Sequence, residues 1–547
     1  MNISLSSEIY IKRYYYLIIS TSVIIILFEC ISKLSIFSIW DDSYIFVRYA
    51  DNIIKNGTIS WNPGGNPTYG LTSLLYLIFI IPLRALLPYN PGLTAISGSL
   101  LSGLLFISLL LLFIYKYFKR DDITKYILTI IVLISFVSSI KQLTNHFTSG
   151  METMFALAFL TLYILVIRWC DASQSILSVI ITGILGGIAF SVRPDILIYI
   201  IIVPITIIFF NNNKSNRINA LLIFIISISL ILLQMLIFRF YFKSSLPLPF
   251  YVKAMRLHSG FLYEKNCVIP IREFILFFKS YLVLFIIIGI DIITGGYKYS
   301  YKKRPIELGL LFSTMVFFIY YLFFVSQIMF YDQRFYYPTL PAIIFLACSS
   351  IVSIINRIPP SVRKMAESYS KIICSTISLI IIISLFIPLL FSIKDLYLSI
   401  RTSQITNFDI YYEYSERWKA YWYKLDEFSK LPDDLTIATT EIGRPSAMNP
   451  DKNIIDLTGL NETDFAHNGF SADFLFRKYH PDLIYLPHPY YQKTIKEITN
   501  NNFFKEHYEY FTKKEICDAL MEIALYKDGK YYLILRNILV EENQSKK

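Results

Sequence analysis

From the N-terminus to about Leu390 the chain repeatedly carries apolar runs of roughly 18 residues or more, each long enough to cross about 30 Å of hydrocarbon. A soluble core would have to hide all of these runs, and the charged faces needed to cover it are missing. Hydrophobic residues make up 55% of the chain and charged residues 17%, against about a quarter charged in ordinary soluble domains. The expected fold class is therefore a polytopic α-helical membrane protein with about eleven transmembrane helices.

The net charge of +11 raises the question of a nucleic-acid partner. The basic residues sit in short clusters between apolar runs, with no basic stripe interleaved with aromatics, so nucleic acid is not an expected partner and membrane topology accounts for the charge. Lys12 and Arg13 precede the first run, Tyr14–Ile36, which puts the N-terminus in the cytoplasm and delivers Trp40-Asp41-Asp42 to the outer face. The run lacks a small-residue cleavage site and is read as a retained span. Leu71–Pro88, broken by Pro82 and Arg84, is expected to be a re-entrant or interfacial helix, because only then does the cluster around Lys119 and Arg120 stay cytoplasmic. Basic turns then fall on the cytoplasmic side at Arg168–Ser175, Asn211–Arg217, Lys298–Pro305 and Asn356–Lys371. Outer loops fall near Lys141–Gly150, at Arg193-Pro194, across Arg239–Arg272 and at Gln327–Tyr337, before a last span, Ile372–Ile393. The expected location is the inner (plasma) membrane.

After Lys394 the composition becomes charged, with short alternating stretches at Thr436–Thr440, Ile454–Leu457, Asp482–Leu486 and Tyr531–Leu535 and helical patterns at Tyr414–Ser429 and Ser471–Tyr479. The expected division is a transmembrane domain, residues 1–393, with a first outer loop at 40–93, and an extracytoplasmic (periplasmic) α/β domain, residues 394–547. Six cysteines show neither a disulfide framework nor a metal pattern.

Outer loops need no acidic pair for folding, so Asp41-Asp42 is informative. Carboxylates partly withdrawn from water beside a like charge become better proton acceptors near neutral pH. The alternative is a helix cap, with Asp42 or Ser43 starting a helix Tyr44–Asn56. The stretch Asp42-Ser43-Tyr44 through Arg48-Tyr49 and Asp51-Asn52 runs into Gly57, Trp61-Asn62-Pro63-Gly64-Gly65 and Tyr69-Gly70-Leu71-Thr72-Ser73. This resembles the first outer loop of the GT-C membrane glycosyltransferases, and in particular the AftB-like terminal arabinofuranosyltransferase family. Further similar segments follow in order: Ser149-Gly150-Met151-Glu152-Thr153, Arg193-Pro194-Asp195, Arg239-Phe240-Tyr241 with Tyr251-Val252-Lys253, Gln333-Arg334-Phe335, Glu441-Ile442-Gly443, Ile455-Asp456-Leu457-Thr458-Gly459 and His480-Pro481-Asp482. The chain departs from the family at Leu246-Pro247-Leu248-Pro249 and at Gly65-Asn66-Pro67-Thr68. Those departures bear on which sugar is used more than on the reaction class.

The resemblance implies a polyprenyl-phosphate-linked sugar as donor, a glycan or glycolipid acceptor of the cell envelope, and reaction at the outer face of the bilayer. Asp41 or Asp42 is then the candidate base, with a single inverting displacement. Arg193, Lys253 and Arg334 are candidate partners of the donor phosphate, since all three fall at outer ends of spans and arginine's planar fork suits phosphate. Anchoring of span ends by snorkelling is the rival account of the two arginines. Tyr44, Arg48, Asn62, Thr72, Glu152, Glu441 and Asp456 are candidate substrate contacts. No histidine has ligand spacing, so no protein-defined metal site is expected; a divalent cation at Asp41-Asp42 stays open, and no other cofactor is implied. There is no Walker A loop and no Gly-x-Gly-x-x-Gly, and the cytoplasmic turns are too short for a nucleotide-sugar domain, which independently favours a lipid-linked donor. A transporter or flippase of lipid-linked glycans would instead call for ionisable residues at mid-membrane. A ligase of preassembled chains would call for a diphosphate donor.

Overall fold

The structure is a computed structural model that describes residues 39–117, 127–129, 131–133, 135–136, 139–254, 268–295, 304–325, 327, 331–357, 432–486, 491–515 and 519–537. The expected spans Tyr14–Ile36 and Ile372–Ile393 and the helical pattern Tyr414–Ser429 lie outside these residues. The described residues form two compact units, one drawn from 96–233 and 268–357 and the other from 39–95, 234–254 and 432–537.

The first unit is helical. Among the described residues five helices of the chain are long and apolar enough to cross a membrane: Pro91–Lys116, Thr153–Ser173, Lys214–Tyr241, Pro305–Phe323 and Tyr337–Arg357. Ile176–Val192 and Pro194–Phe210 are shorter apolar helices. The expected single crossing between Arg272 and Lys298 is broken, with Pro270–Ser280 and Leu282–Ile293 bent by 81°. At that break the Tyr281 hydroxyl is buried, accepting from Ser139 Oγ at 2.9 Å and donating to the Tyr337 hydroxyl at 3.1 Å. A chain with this many apolar spans is a multi-pass membrane protein.

Helices in lipid gain no hydrophobic drive from one another and associate through close packing at small residues. Gly183, Gly186 and Gly187 face Ile226, Ser227 and Leu230 of the Lys214–Tyr241 helix, where any added Cβ would collide, and Ser227 Oγ donates to the Gly183 carbonyl at 3.0 Å. Gly309 likewise sits against the backbone of Val203, 2.9 Å from where a Cβ would lie. At the ends of neighbouring helices, buried Asp291 and Glu307 gather arginines. Arg304 donates to Asp291 at 2.8 Å, Arg357 also pairs with Asp291, and Arg168 donates to Glu307 at 2.8 Å. Carboxylates withdrawn from water are tolerable only when paired in this way.

The second unit is built on a five-stranded mixed sheet. Its strands are β1 (Thr436–Thr439), β2 (Asn453–Asp456), β3 (Leu483–Leu486), β4 (Tyr508–Glu515) and β5 (Ala519–Tyr526), in the order β2-β1-β3-β5-β4. β1 runs parallel to β2 and β3, with Ala438 opposite Ile455 and Ile484, and β5 is antiparallel to β3 and β4. Ala438, Ile455, Ile484 and Ala524 of the sheet pack on Phe465, Leu475, Phe476, Ile498 and Phe504. Three expected strands are present; the stretch Tyr531–Leu535 is a correction. It is turn and helix, not strand. Its buried residues are Tyr531 and Leu535, four apart, while Leu533 and Ile534 are 69% and 49% exposed, a helical spacing that a short apolar run cannot reveal by composition alone.

The first outer loop belongs to this unit. Ser43–Asn56 is a helix ended by left-handed Gly57 (φ 68°), whose N–H returns to the Ile53 carbonyl at 3.0 Å. Leu74–Leu86 has 13 residues, with Pro82 inside, and its length of about 20 Å falls short of a bilayer. That agrees with a re-entrant or interfacial helix. Its Arg84 is buried and makes a two-pronged bond to Asp51, at 2.7 and 3.1 Å, so the charge that interrupts the apolar run is neutralised by the preceding helix.

Candidate active site

The second unit holds most of the sequence-predicted residues, beginning with Asp41. Its Oδ1 accepts the Arg444 backbone N–H at 2.8 Å and its Oδ2 accepts the Gly443 N–H at 3.0 Å. A Cβ on Gly443 would overlap both the carbonyl and the carboxylate of Asp41, so the approach requires glycine. Burial pushes the Asp41 carboxyl up, opposed by the Arg444 N–H, reinforced by the charge of Asp42 and opposed again by the Gly443 N–H; the balance stands at about 7. Asp42 occupies the cap position of Ser43–Asn56, yet its side chain makes no capping hydrogen bond. The pair thus stands at the start of the helix, as the cap account expects, but Asp42 does not cap it through its side chain.

Tyr44 is buried with Val47, Ala95 and Ala447, and this cluster seats the short helix Arg444–Met448 beside the acidic pair. Arg48 fastens the same contact and is fully buried. It donates from Nε to the Trp61 carbonyl at 2.7 Å, from Nη1 to the carbonyls of Ser446 and Asn449 at 2.7 and 3.1 Å, and from Nη2 to Asn62 Oδ1 and the Lys452 carbonyl at 2.9 and 2.8 Å. Five N–H donors are all that a guanidinium has, so in this structure Arg48 holds the protein together. Asn62 pairs with the backbone of Ile454, accepting its N–H at 2.8 Å and donating to its carbonyl at 3.1 Å, while Trp61 Nε1 donates to the same carbonyl at 2.7 Å. The Trp61-Asn62 segment thereby covers the open edge of β2, a strand that would otherwise present unpaired backbone groups.

Asp456 is fully buried and satisfied by its own turn. Oδ1 accepts from the Thr458 N–H and hydroxyl at 2.8 and 2.5 Å, and Oδ2 from the Asn461 N–H and side chain at 2.7 and 3.1 Å. Asn461 in turn accepts from the Tyr49 hydroxyl at 3.1 Å, and that hydroxyl accepts the Gly70 N–H at 3.2 Å. Glu441 is buried and not a surface residue. Its loop is turned by its N–H donating to Thr439 Oγ1 at 3.1 Å. Tyr491, which no sequence motif marks, is buried, and its hydroxyl is pushed well up, by burial and then by the charges of Glu441, Asp456, Asp42 and Asp41. Thr72 is partly buried just before Ser73, whose hydroxyl caps Leu74–Leu86. Lys253 is partly buried on Leu248–Ala254, a helix whose Tyr251 ring meets His467 edge-on with ring centroids 4.3 Å apart.

The first unit holds the remaining three. Arg193 is buried in a network with Asp195, at 3.1 and 2.7 Å, and Glu152, at 3.6 Å, and it also reaches the Tyr321 hydroxyl, which itself donates to Asp195 at 2.5 Å. Two carboxylates already neutralise this guanidinium. Asp195 and Tyr321 were not singled out from sequence, although Asp195 lay within the quoted Arg-Pro-Asp turn. Arg334 is buried over the Phe335 ring, 5.1 Å away, and follows two non-glycine residues in the left-handed region, Asp332 (φ 48°) and Gln333 (φ 58°). His146 secures that loop, its Nε2 lying 2.9 Å from the Asp332 carbonyl, and the charges of Arg334 and Arg193 both act on the same imidazole. Left-handed conformations at consecutive side-chain-bearing residues cost free energy and tend to gather at functional loops. Among the described residues no group of three or more His, Cys, Asp or Glu side chains is placed to hold a metal ion.

No protein-family model matches the chain, and no curated protein matches it. Solved structures do resemble it along nearly its whole length, two of ArnT among them. ArnT from Cupriavidus metallidurans bound to undecaprenyl phosphate superposes with a TM-score of 0.53 at 10% identity, covering 93% of this chain and 98% of that one. The apo form of the same protein gives 0.55 at 8% identity, covering 94% and 98%. Identity this low speaks to architecture alone. The chain therefore has a GT-C-like membrane fold, apolar helices combined with a small sheet in its C-terminal region, of the kind seen in ArnT.

Proposed function

We propose that the protein is a glycosyltransferase that moves a sugar from a polyprenyl-phosphate donor to a cell-envelope glycan or glycolipid on the outer face of the inner membrane. The observation that carries this reading is the acidic pair Asp41-Asp42 in the first outer loop, with Asp41 gripped by two backbone N–H groups and held near neutral pKa. A base poised near the working pH is what a hydroxyl acceptor needs. The whole-length likeness to ArnT, a protein solved with undecaprenyl phosphate bound, supports a lipid-phosphate donor. The domain division at about residue 393, a cytoplasmic N-terminus and an extracytoplasmic C-terminal domain are part of the same proposal, and so is kinship with the AftB-like arabinofuranosyltransferases.

In the proposed reaction the acceptor oxygen attacks the anomeric carbon while its proton passes to an aspartate of the pair. The bond from that carbon to the carrier phosphate breaks, and the phosphate leaves with the electron pair, inverting the centre. Lys253, Arg193 and Arg334 are the proposed partners of the phosphate, and Arg193 is also matched by Asp195 and Glu152. Glu441 and Thr72 are proposed to meet the substrates directly, whereas Tyr44, Arg48, Asn62 and Asp456 act by building the site. The test is to compare envelope glycans and released carrier with and without the gene. A missing terminal sugar and a monophosphate carrier are expected; release of a diphosphate, or glycan uptake without transfer, refutes the reading.

A further inference from the structure

The sequence alone does not say which aspartate of the pair takes the proton, nor what a sheet unit far along the chain contributes. We propose that the Gly443-Arg444 peptide is a positioning element that fixes Asp41, rather than Asp42, as the proton acceptor. This rests on the glycosyltransferase reading. Each Asp41 oxygen receives one main-chain N–H, at 2.8 and 3.0 Å, which sets the plane of the carboxylate and leaves each oxygen a further lone pair for an acceptor hydroxyl. Main-chain donors cannot swing away as side chains can, so the orientation is preset before substrate arrives. The peptide is itself anchored, since Arg48 holds the carbonyls of Ser446 and Asn449, and Ala447 packs with Tyr44 and Val47. Gly443 is the residue that permits the approach, because any side chain there would occupy the space of Asp41.

The charged and titratable groups that act on Asp41 are Asp42 beside it and the Arg444 guanidinium from the short helix, and the Asp41 charge in turn acts on the Tyr491 hydroxyl, as does that of Glu441. Asp42 raises the affinity of Asp41 for its proton, while the two N–H groups and Arg444 lower it. On this assignment Asp42 tunes and Asp41 accepts.

The experiment follows transfer from a synthetic short-chain prenyl-phosphoryl arabinofuranose against pH, in full-length wild type, Asp41→Asn, Asp42→Asn and Gly443→Ala. In parallel it follows melting temperature against pH without substrate. Wild type should show a rising limb near pH 7. Asp41→Asn should lose about a thousandfold in rate, Asp42→Asn should keep a limb displaced to lower pH, and Gly443→Ala should lose about a hundredfold. The melting arm has its own sign. The native protein keeps the Asp41 proton up to about 7 while an unfolded aspartate releases it near 3.8. The native state therefore binds more protons in that window, and stability falls as pH rises through it. That slope should shrink in Asp41→Asn and survive in Asp42→Asn. Loss of the rising limb in Asp42→Asn with its retention in Asp41→Asn overturns the assignment. An inert wild type that keeps the Asp41-dependent melting slope would indict the donor and the functional reading, not the cradle; a slope unchanged in Asp41→Asn would sink the cradle whatever the substrate.

Discussion

Replacing Arg48 separates two accounts of a residue that both sequence and structure single out. Arg48 was expected to touch substrate, but its five donors reach Trp61, Asn62, Ser446, Asn449 and Lys452. Arg48→Met removes all five bonds: the buried carbonyls of Ser446 and Lys452 lose their Arg48 donor, whereas Trp61, Asn449 and Asn62 each keep another, from Asn52, the Lys452 N–H and the Ile454 N–H. An unsatisfied buried acceptor costs about 1–3 kcal/mol, so those two carbonyls put the loss at about 2–6 kcal/mol, a large share of the whole stability of a typical domain at about 5–15 kcal/mol. Arg48→Lys keeps the charge but offers three donors without the planar fork, and should lose about half of that. The assay is thermal melting in detergent combined with hydrogen exchange. Residues 444–452 should exchange fastest in Arg48→Met, with Arg48→Lys between it and wild type. A melting temperature unchanged in Arg48→Met, with only a raised KM, would refute the structural role and restore direct substrate contact.

Four further outcomes are expected. Arg84→Met alone strands Asp51 in a buried site and should cost about 3–5 kcal/mol, whereas the double variant with Asp51→Leu should recover most of that in the same melting assay. Gly70→Ala would overlap Asn461 Oδ1 and the Tyr49 hydroxyl and should destabilise by about 1–3 kcal/mol, read as a lower denaturation midpoint. Asp456→Asn places an amide N–H against donors from Thr458 or Asn461, so it should lose about 2 kcal/mol or more; at unchanged stability the buried-turn account fails. Gly309→Leu should push Pro305–Phe323 away from Val203 and lower detergent-resistant stability, and a wild-type melt would argue against that close packing.

How much of this was legible beforehand depends on whether the signal is local. The spans were legible because hydrocarbon leaves a helix little choice but to be long and apolar. That Leu74–Leu86 is a short, interrupted apolar helix was legible from Pro82 and Arg84, though not that Asp51 would neutralise Arg84 across two helices. β1, β2 and β3 were legible as short alternating stretches. The hairpin β4-β5 was not, and Tyr531–Leu535 was misread, because a run of five apolar residues carries no period long enough to separate strand from helix. The break at Tyr281 follows from buried hydroxyl contacts with Ser139 and Tyr337, which are remote in sequence.

The acidic pair could be found without coordinates, since two adjacent carboxylates after an apolar run have few structural reasons to exist. Its partners could not. Gly443 and Arg444 lie some four hundred positions away and act through main-chain N–H groups that every residue but proline possesses, so no side-chain identity betrays them. Arg193 looked like an available cation until Asp195, Glu152 and Tyr321 were seen around it, and nothing in the sequence marks Tyr491 as a buried phenol on which the charges of four carboxylates act. Hydropathy and charge, summed along the chain, dictated the solvent each segment would accept and so the class of fold. Which charge is neutralised, which carboxylate is held and which arginine is mere mortar depend on contacts between distant segments, and only the folded chain brings those together.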